Sequence, residues 1–132
     1  MLIDWSREFD VWLTELERRA NAGHARSQEQ LDLVNTQLLY LQDLKEPPTE
    51  DTPTLRRVRQ SGRYQVWRIS HPFRNGVGVR LIVWFPPDAP PLIVLFGNNK
   101  AHMGDVFYDS VASRADQVIA AYLRLSNGGG DE

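Results

Sequence analysis

Residues 77–96 read VGVRLIVWFPPDAPPLIVLF, and this stretch decides the fold. Val77 to Phe85 consists of β-branched, aliphatic and aromatic residues apart from Gly78 and Arg80, and Leu92 to Phe96 is wholly apolar. Short runs of this composition favour strands. The proline-rich segment 86–91 between them predicts a rigid turn, because proline continues neither a central strand nor a helix. We therefore expect two strands of one sheet, with the second in the sheet interior.

The segment before this stretch carries weaker strand signals. Leu55 to Arg59 predicts a short strand, and Tyr64 to Ile69 predicts another in which apolar residues alternate loosely with polar ones. Asn75-Gly76 is the strongest hairpin signal in the chain and joins the Tyr64–Ile69 strand to the strand that starts at Val77. Met1 to Trp5 is a further candidate for a short first strand.

The N-terminal third predicts two helices. Ser6 is a suitable N-cap for the first, and Asn21-Ala22-Gly23 is suited to end it. Ser27 is the expected cap of the second, which Pro47-Pro48 ends. The apolar positions recur at helical spacing in both segments: Trp5, Phe9, Trp12, Leu13 and Leu16 in the first, and Leu31, Val34, Leu38 and Leu41 in the second.

These patterns predict an α+β fold in which the helices, including an N-terminal helical hairpin, pack on one face of a small, antiparallel-rich sheet of about four strands. A C-terminal helix over Val106–Leu125 follows the sheet. We expect a single domain over residues 1–125 and a disordered, acidic, glycine-rich tail over residues 126–132.

Composition narrows the classes of function. The chain of 132 residues contains no cysteine, which excludes disulfides and thiolate metal sites, and its three histidines share no ligand spacing. We therefore expect neither a metal nor a small-molecule cofactor. No apolar run approaches the roughly 20 residues of a membrane span, and no secretory signal opens the chain. These features predict a cytoplasmic protein with no membrane partner.

The positive charge is concentrated in one segment. The formal net charge is −2, but residues 55–87 contain seven arginines and no acidic residue. Arginine binds phosphate with two parallel hydrogen bonds, so a local cluster can contact RNA despite an acidic average. We expect Arg56, Arg57, Arg59 and Arg63 to form an outer RNA-binding surface. The alternative is that these arginines pair with the acidic N-terminal helices.

Two arginines interrupt apolar strands and are candidates for a phosphate site. Arg68 and Arg80 lie at comparable distances from the Asn75-Gly76 turn, so an antiparallel hairpin brings them to an uncovered sheet face, with Lys100 following the next strand. Three cations converging there could stabilise a phosphate. Alternatively, the two arginines form salt bridges with acidic residues of the C-terminal helix region: Asp105, Asp109 or Asp116.

His102 and Tyr108 lie in the same loop region, where both could transfer protons. The alternative is that His102 is merely exposed and that Tyr108 packs the helix against the sheet. For Asp116, close to Arg114, we expect a structural pairing.

Three short motifs at the C-terminal end carry a family resemblance. They are Gly97-Asn98-Asn99-Lys100 after the last strand, Phe107-Tyr108 at the start of the helix, and Arg114-Ala115-Asp116 within it. In this ending and in the order of its elements, the chain resembles the RelE/ParE superfamily of type II toxin–antitoxin toxins, particularly its phage-derived HigB-like branch. The resemblance is densest over residues 64–123.

The resemblance implies a ribosome-dependent, metal-independent mRNA endoribonuclease that a cognate antitoxin holds inactive. In such enzymes the ribose 2′-hydroxyl attacks the adjacent phosphate. By resemblance, Arg80 corresponds to the strand arginine of the family, Lys100 to the basic residue after the last strand, and Tyr108 to the C-terminal tyrosine. Arg68, His102 and Asp105 are accessory candidates. Two alternatives remain open: a gyrase-inhibiting ParE-like toxin, and a non-catalytic, phage-derived interaction protein of the same fold.

Overall fold

The computed structural model describes residues 1–59, 62–69, 79–88, 90–99 and 104–130, apart from the side chains of residues 98–99, 104–110 and 127–130. The elements follow the order β1 (Ile3–Trp5), α1 (Arg7–Asn21), α2 (Ala25–Asp43), β2 (Leu55–Arg57), β3 (Val66–Ile69), β4 (Val79–Trp84), β5 (Leu92–Asn99) and α3 (Gly104–Gly130). The expected α+β class is confirmed.

Within the described residues the sheet has five strands in the order β1-β5-β4-β3-β2. The expectation of about four strands is corrected by β1, which pairs in parallel with β5, whereas the other neighbouring strands are antiparallel. The parallel pairing is possible because the connection between the two strands is long and contains α1, α2 and the strands β2, β3 and β4. β5 lies in the sheet interior, as its apolar sequence predicts.

The register of β3 and β4 agrees with the expected hairpin. Arg68 pairs with Ile82 and Val66 pairs with Trp84, so each pair is equidistant from residue 75. The Asn75-Gly76 turn itself lies outside the described residues. The hairpin nevertheless fixes which side chains of the two strands share a face, because successive residues of a strand point to opposite faces.

The helices cover both faces of the sheet, so the expectation that they pack on one face is wrong. α1 and α2 pack on the face that includes Leu81 and Val83, and α3 packs on the face that includes Ile82 and Trp84. All four of these β4 residues are buried. A strand that is apolar on both faces needs cover on both, and the continuous apolar run of β4 is the feature that requires this arrangement.

The start and end of α1 follow the sequence signals. The Ser6 hydroxyl accepts a hydrogen bond from the backbone N–H of Phe9 at 3.0 Å and donates one to the carbonyl of Leu95 at 2.5 Å. The helix ends at Asn21, and Gly23 adopts a positive φ of 94°, which glycine tolerates without strain.

The boundaries of the other helices differ from those expected. α2 has His24 as its N-cap, whereas Ser27 is buried inside the helix, because the turn after α1 is shorter than the sequence suggests. α3 begins at Gly104 and continues through Ser126 to Gly130, where the sequence predicts the tail. No helix in the described ranges combines the length and apolar character needed to cross a membrane.

Candidate nucleic-acid interface

Three arginines on three adjacent strands project from the same face of the sheet. We call Arg56 of β2, Arg68 of β3 and Arg80 of β4 the arginine ladder. Arg56 and Arg68 are directly paired across the strands, and Arg68 pairs with Ile82, which places Arg80 on the diagonal. Because side chains alternate along each strand, all three lie on the face on which α3 packs.

Burial increases along the ladder. Arg56 is exposed, whereas Arg68 and Arg80 are half-buried. The expectation that Arg68 and Arg80 share one face is confirmed. The expectation that this face is uncovered is wrong, because α3 packs on it and its apolar side chains fill the part of the face nearest β5. The ladder is therefore open at β2 and partly enclosed at β4.

The electrostatics of the ladder show that like charges lie close together. Burial, together with the neighbouring charges of Arg68 and Arg56, lowers the pKa of Arg80 to about 10. Burial and the charge of Arg56 also lower the pKa of Arg68, an effect that Asp51 partly opposes. Arg80 remains protonated at neutral pH, so it serves as a fixed cation and not as a proton acceptor. An anion bound here would relieve the repulsion.

Arg57 lies on the other face of β2 and has a structural role there. Its backbone N–H and its Nε both donate to Oδ1 of Asp51, at 2.9 and 3.3 Å, and its guanidinium lies 5.7 Å from the ring centroid of Trp67. The contact with Arg57 lowers the pKa of Asp51. Among the four arginines assigned to the outer surface, Arg56 thus belongs to the ladder itself and Arg57 is separated from it by the sheet.

The remaining two outer arginines flank the β2–β3 connection. Arg59 lies two residues after the end of β2, is exposed, and its charge contributes to lowering the pKa of Arg68. Arg63 is exposed, and its guanidinium lies 5.6 Å from the ring centroid of Tyr64. The charge of Arg59 therefore adds to the positive field at Arg68.

The structure describes the other predicted site residues only in part. Lys100 and His102 lie outside the described residues. Asp105 and Tyr108 fall in the first turns of α3, but their side chains are not among those described. The backbone of the adjoining elements is described: Arg80 pairs with Asn98 near the end of β5, and α3 begins five residues after β5 ends. These four residues thus lie within ten positions of Asn98, the strand partner of Arg80, in the sequence.

α3 is held against the sheet by contacts on both of its sides. Asp116 accepts hydrogen bonds from the backbone N–H groups of Arg63 and Tyr64 at 2.8 and 3.3 Å. A Cβ at Gly62 would overlap the Asp116 carboxylate, so glycine permits this approach. The structural role expected for Asp116 is confirmed, but its partners are backbone groups, and Arg114 does not supply them.

On its opposite side, α3 contacts β1 and α1. Arg114 forms an ion pair with Glu8 at 3.1 Å, and its guanidinium lies 4.2 Å from the ring centroid of Phe96. The Tyr122 hydroxyl donates to Oδ2 of Asp4 at 2.7 Å, and burial with this hydrogen bond raises the pKa of Tyr122. α3 is therefore fixed across the sheet beside the ladder.

Sequence reasoning missed that Arg56 belongs to the inner group. The signal that could have found it is the alternation of β2, since Leu55 is apolar and the next residue must point to the opposite face.

Among the described residues, no group of three or more histidine, aspartate or glutamate side chains is arranged to hold a metal ion. Comparison of the chain with protein-family models, with curated proteins and with solved structures finds no significant match.

Proposed function

We propose that this protein is the toxin of a type II toxin–antitoxin module, with the RelE-like fold, and that it cleaves mRNA on the ribosome without a metal. The observation that carries the proposal is the arginine ladder, in which three like charges lie on one sheet face. Arg80 pairs with Asn98, and Lys100, His102, Asp105 and Tyr108 follow Asn98 in the sequence. The proposal includes a cognate antitoxin as partner and the cytoplasm as the compartment.

The order of the elements supports the fold assignment. A short strand, a helical hairpin, a meander of strands and a final helix follow one another as the resemblance to RelE/HigB-like toxins implies. Apart from Lys100, which lies outside the described residues, the quoted C-terminal motifs occur at the end of β5 and in α3.

The proposed reaction assigns one task to the ladder arginines and another to the candidate residues between Lys100 and Tyr108. The ribose 2′-hydroxyl attacks the adjacent phosphorus, loses its proton to a base, and the 5′-oxygen leaves with a proton from an acid. Arg80 and Arg68 stabilise the negative charge of the phosphorane, because they are fixed cations in a partly enclosed site. Lys100, Tyr108, His102 and Asp105 are the candidates for the proton transfers.

Inducible expression in a bacterium tests the proposal. We expect growth to stop within minutes of induction, with new mRNA 5′ ends that map to translated regions, and we expect Arg80→Ala to abolish both effects while the protein still accumulates. Arg124→Ala is the matched control, because Arg124 is an exposed arginine near the far end of α3.

The other outcomes reject the proposal in distinguishable ways. Growth arrest with intact mRNA and with inhibited gyrase identifies the ParE-like alternative. Normal growth with intact mRNA at high expression identifies a non-catalytic interaction protein.

A further inference from the structure

We infer that Gln37 of α2 is a positioning residue for Arg80, because its side-chain amide holds the peptide between Val79 and Arg80 from the opposite face of the sheet. The inference rests on the proposed function for what Arg80 does in the reaction, and it adds a residue of the helical hairpin to the site. The anchoring itself can be measured without RNA.

The contact joins the helical hairpin to the first residue of β4. Gln37 lies between Val34 and Leu41 on the buried face of α2, and its side chain has no exposed surface. Its Nε2 donates to the carbonyl oxygen of Val79 at 3.0 Å. That carbonyl and the N–H of Arg80 belong to one planar peptide unit, so the bond fixes the plane from which the Arg80 side chain departs.

The two residues joined by this peptide point to opposite faces of the sheet. Val79 belongs to the core beneath α1 and α2, so Arg80 lies on the face on which α3 packs. The described β3–β4 pairs end with Arg68 and Ile82, whereas the β4–β5 pairs continue to Val79. Arg80 thus lies in the part of β4 beyond these β3 pairs, and Gln37 holds this part against the helical layer.

The chemistry of Gln37 suits this contact better than it suits packing alone. Its Oε1 is buried and accepts no hydrogen bond from any residue that the structure describes. An unsatisfied buried acceptor costs free energy, and an unbranched apolar side chain such as methionine would fill the space without it. Methionine, however, has no donor for the Val79 carbonyl. The amide therefore serves the bond to β4.

Arg80 depends on this peptide because its guanidinium lies at the end of a long side chain, where a small rotation of the backbone becomes a larger displacement. A group that stabilises a transition state must stay within about 0.5 Å of its productive position, and a misplacement of about 1 Å can lower a rate roughly 100-fold. Loss of the Gln37 donor should therefore impair the reaction without removing a group that touches the RNA.

The test follows the Nε–H of Arg80 by nuclear magnetic resonance. This nitrogen is buried, so its proton should exchange slowly with water, and its signal is identified by its absence from the spectrum of Arg80→Met. The exposed Arg124 is the internal reference. We expect Gln37→Met to raise the exchange rate of Arg80 relative to that of Arg124 about tenfold, because the start of β4 opens more readily without its anchor.

Leu41→Met is the matched control, because it places the same side chain one turn further along the buried face of α2. It should change the Arg80 exchange rate by less than about twofold, since leucine and methionine replace each other with little disturbance.

Gln37→Glu is the conservative variant, and it decides the question if Gln37→Met does not fold. Burial raises the pKa of the introduced carboxyl, so at mildly acidic pH its O–H can donate to the Val79 carbonyl and Arg80 exchange should stay slow. As the carboxyl ionises at higher pH, the donor is lost and Arg80 exchange should rise relative to that of Arg124.

An Arg80 exchange rate that is unchanged in Gln37→Met, or that rises equally in Leu41→Met, would show that Gln37 only stabilises the core and would overturn the inference. On purified ribosomes, Gln37→Met should lower kcat for mRNA cleavage about tenfold and leave KM within about twofold. Faster exchange with full cleavage would also overturn it. If the unsubstituted protein does not cleave mRNA, the proposed function fails, and the exchange measurement alone decides whether Gln37 holds Arg80.

Discussion

Replacing Arg80 by methionine should stabilise the folded protein while it abolishes toxicity. The environment of Arg80 disfavours the charged form and lowers its pKa to about 10, well below its ordinary value. The full difference would amount to roughly 3 kcal/mol at 1.36 kcal/mol for each pKa unit. Solvent screens a half-buried guanidinium, so we expect the gain in the free energy of unfolding to be about 1 kcal/mol. Methionine is suited to the test because it keeps an unbranched apolar side chain against α3.

Differential scanning calorimetry measures this gain, which should appear as a rise in Tm of about 4 °C. The pH dependence gives a second measurement. Between pH 10 and 12.5, the folded chain loses a proton from Arg80 that the unfolded chain retains, so the free energy of unfolding of the unsubstituted protein rises with pH there, relative to the variant. The advantage of Arg80→Met should be complete below pH 10 and shrink above it.

Arg114→Met is the matched control, because the same chemical change removes a guanidinium that pairs with Glu8 and stacks on Phe96. This control should lower the free energy of unfolding. If Arg80→Met lowers it by 1 kcal/mol or more, Arg80 is a structural residue and the ladder is not a strained cationic site. If the variant is more stable but remains fully toxic, Arg80 has no part in the reaction.

Three further substitutions test the framework that supports the ladder. Asp116→Ala should lower the free energy of unfolding by about 1–2 kcal/mol in urea denaturation, because the N–H groups of two residues in the β2–β3 connection lose their acceptor; an unchanged midpoint would contradict this role. Ser6→Ala should cost about 1–2 kcal/mol in the same assay, because the α1 cap and a buried bond to the β5 backbone are lost together; a cost under 0.5 kcal/mol would show that water replaces both. Gly97→Val should cost about 2 kcal/mol by thermal denaturation, because a Cβ there already meets Trp12 and Leu81 at 3.0 Å; a neutral result would mean that the tryptophan moves freely.

Local patterns in the sequence are sufficient to predict most helices and strands of the fold. The sequence predicts the cap at Ser6 and the stop before Gly23 correctly, because capping depends on residues within one helical turn. The β3–β4 hairpin was also read correctly, since a turn signal sets the register of the strands beside it. The prediction of Ser27 as the N-cap of α2 is wrong, because a residue type that favours caps occurs here inside a helix that begins earlier.

Local sequence patterns do not predict the contacts between distant segments of the chain. The parallel pairing of β1 with β5 and the placement of α3 on the second face depend on how apolar surfaces are shared across the whole chain. The site shows the same limit. That Arg68 and Arg80 share a face follows from one hairpin, but the pairing of Arg56 with Arg68 requires the register of a third strand whose connection gives no turn signal of comparable strength.

The edges of the sheet constrain how any protein partner can bind. At β1, the N–H of Trp5 donates to Oδ1 of Asp4. At β2, the N–H of Leu55 donates to the Thr52 hydroxyl, and the N–H of Arg57 donates to Asp51. An exposed strand edge ordinarily offers such groups to an added strand, and here nearby side chains already satisfy them. Strand addition at either edge would have to break these bonds. If the protein is the proposed toxin, we expect its antitoxin to bind through side chains, and the ladder is the surface on which an acidic segment would also block RNA.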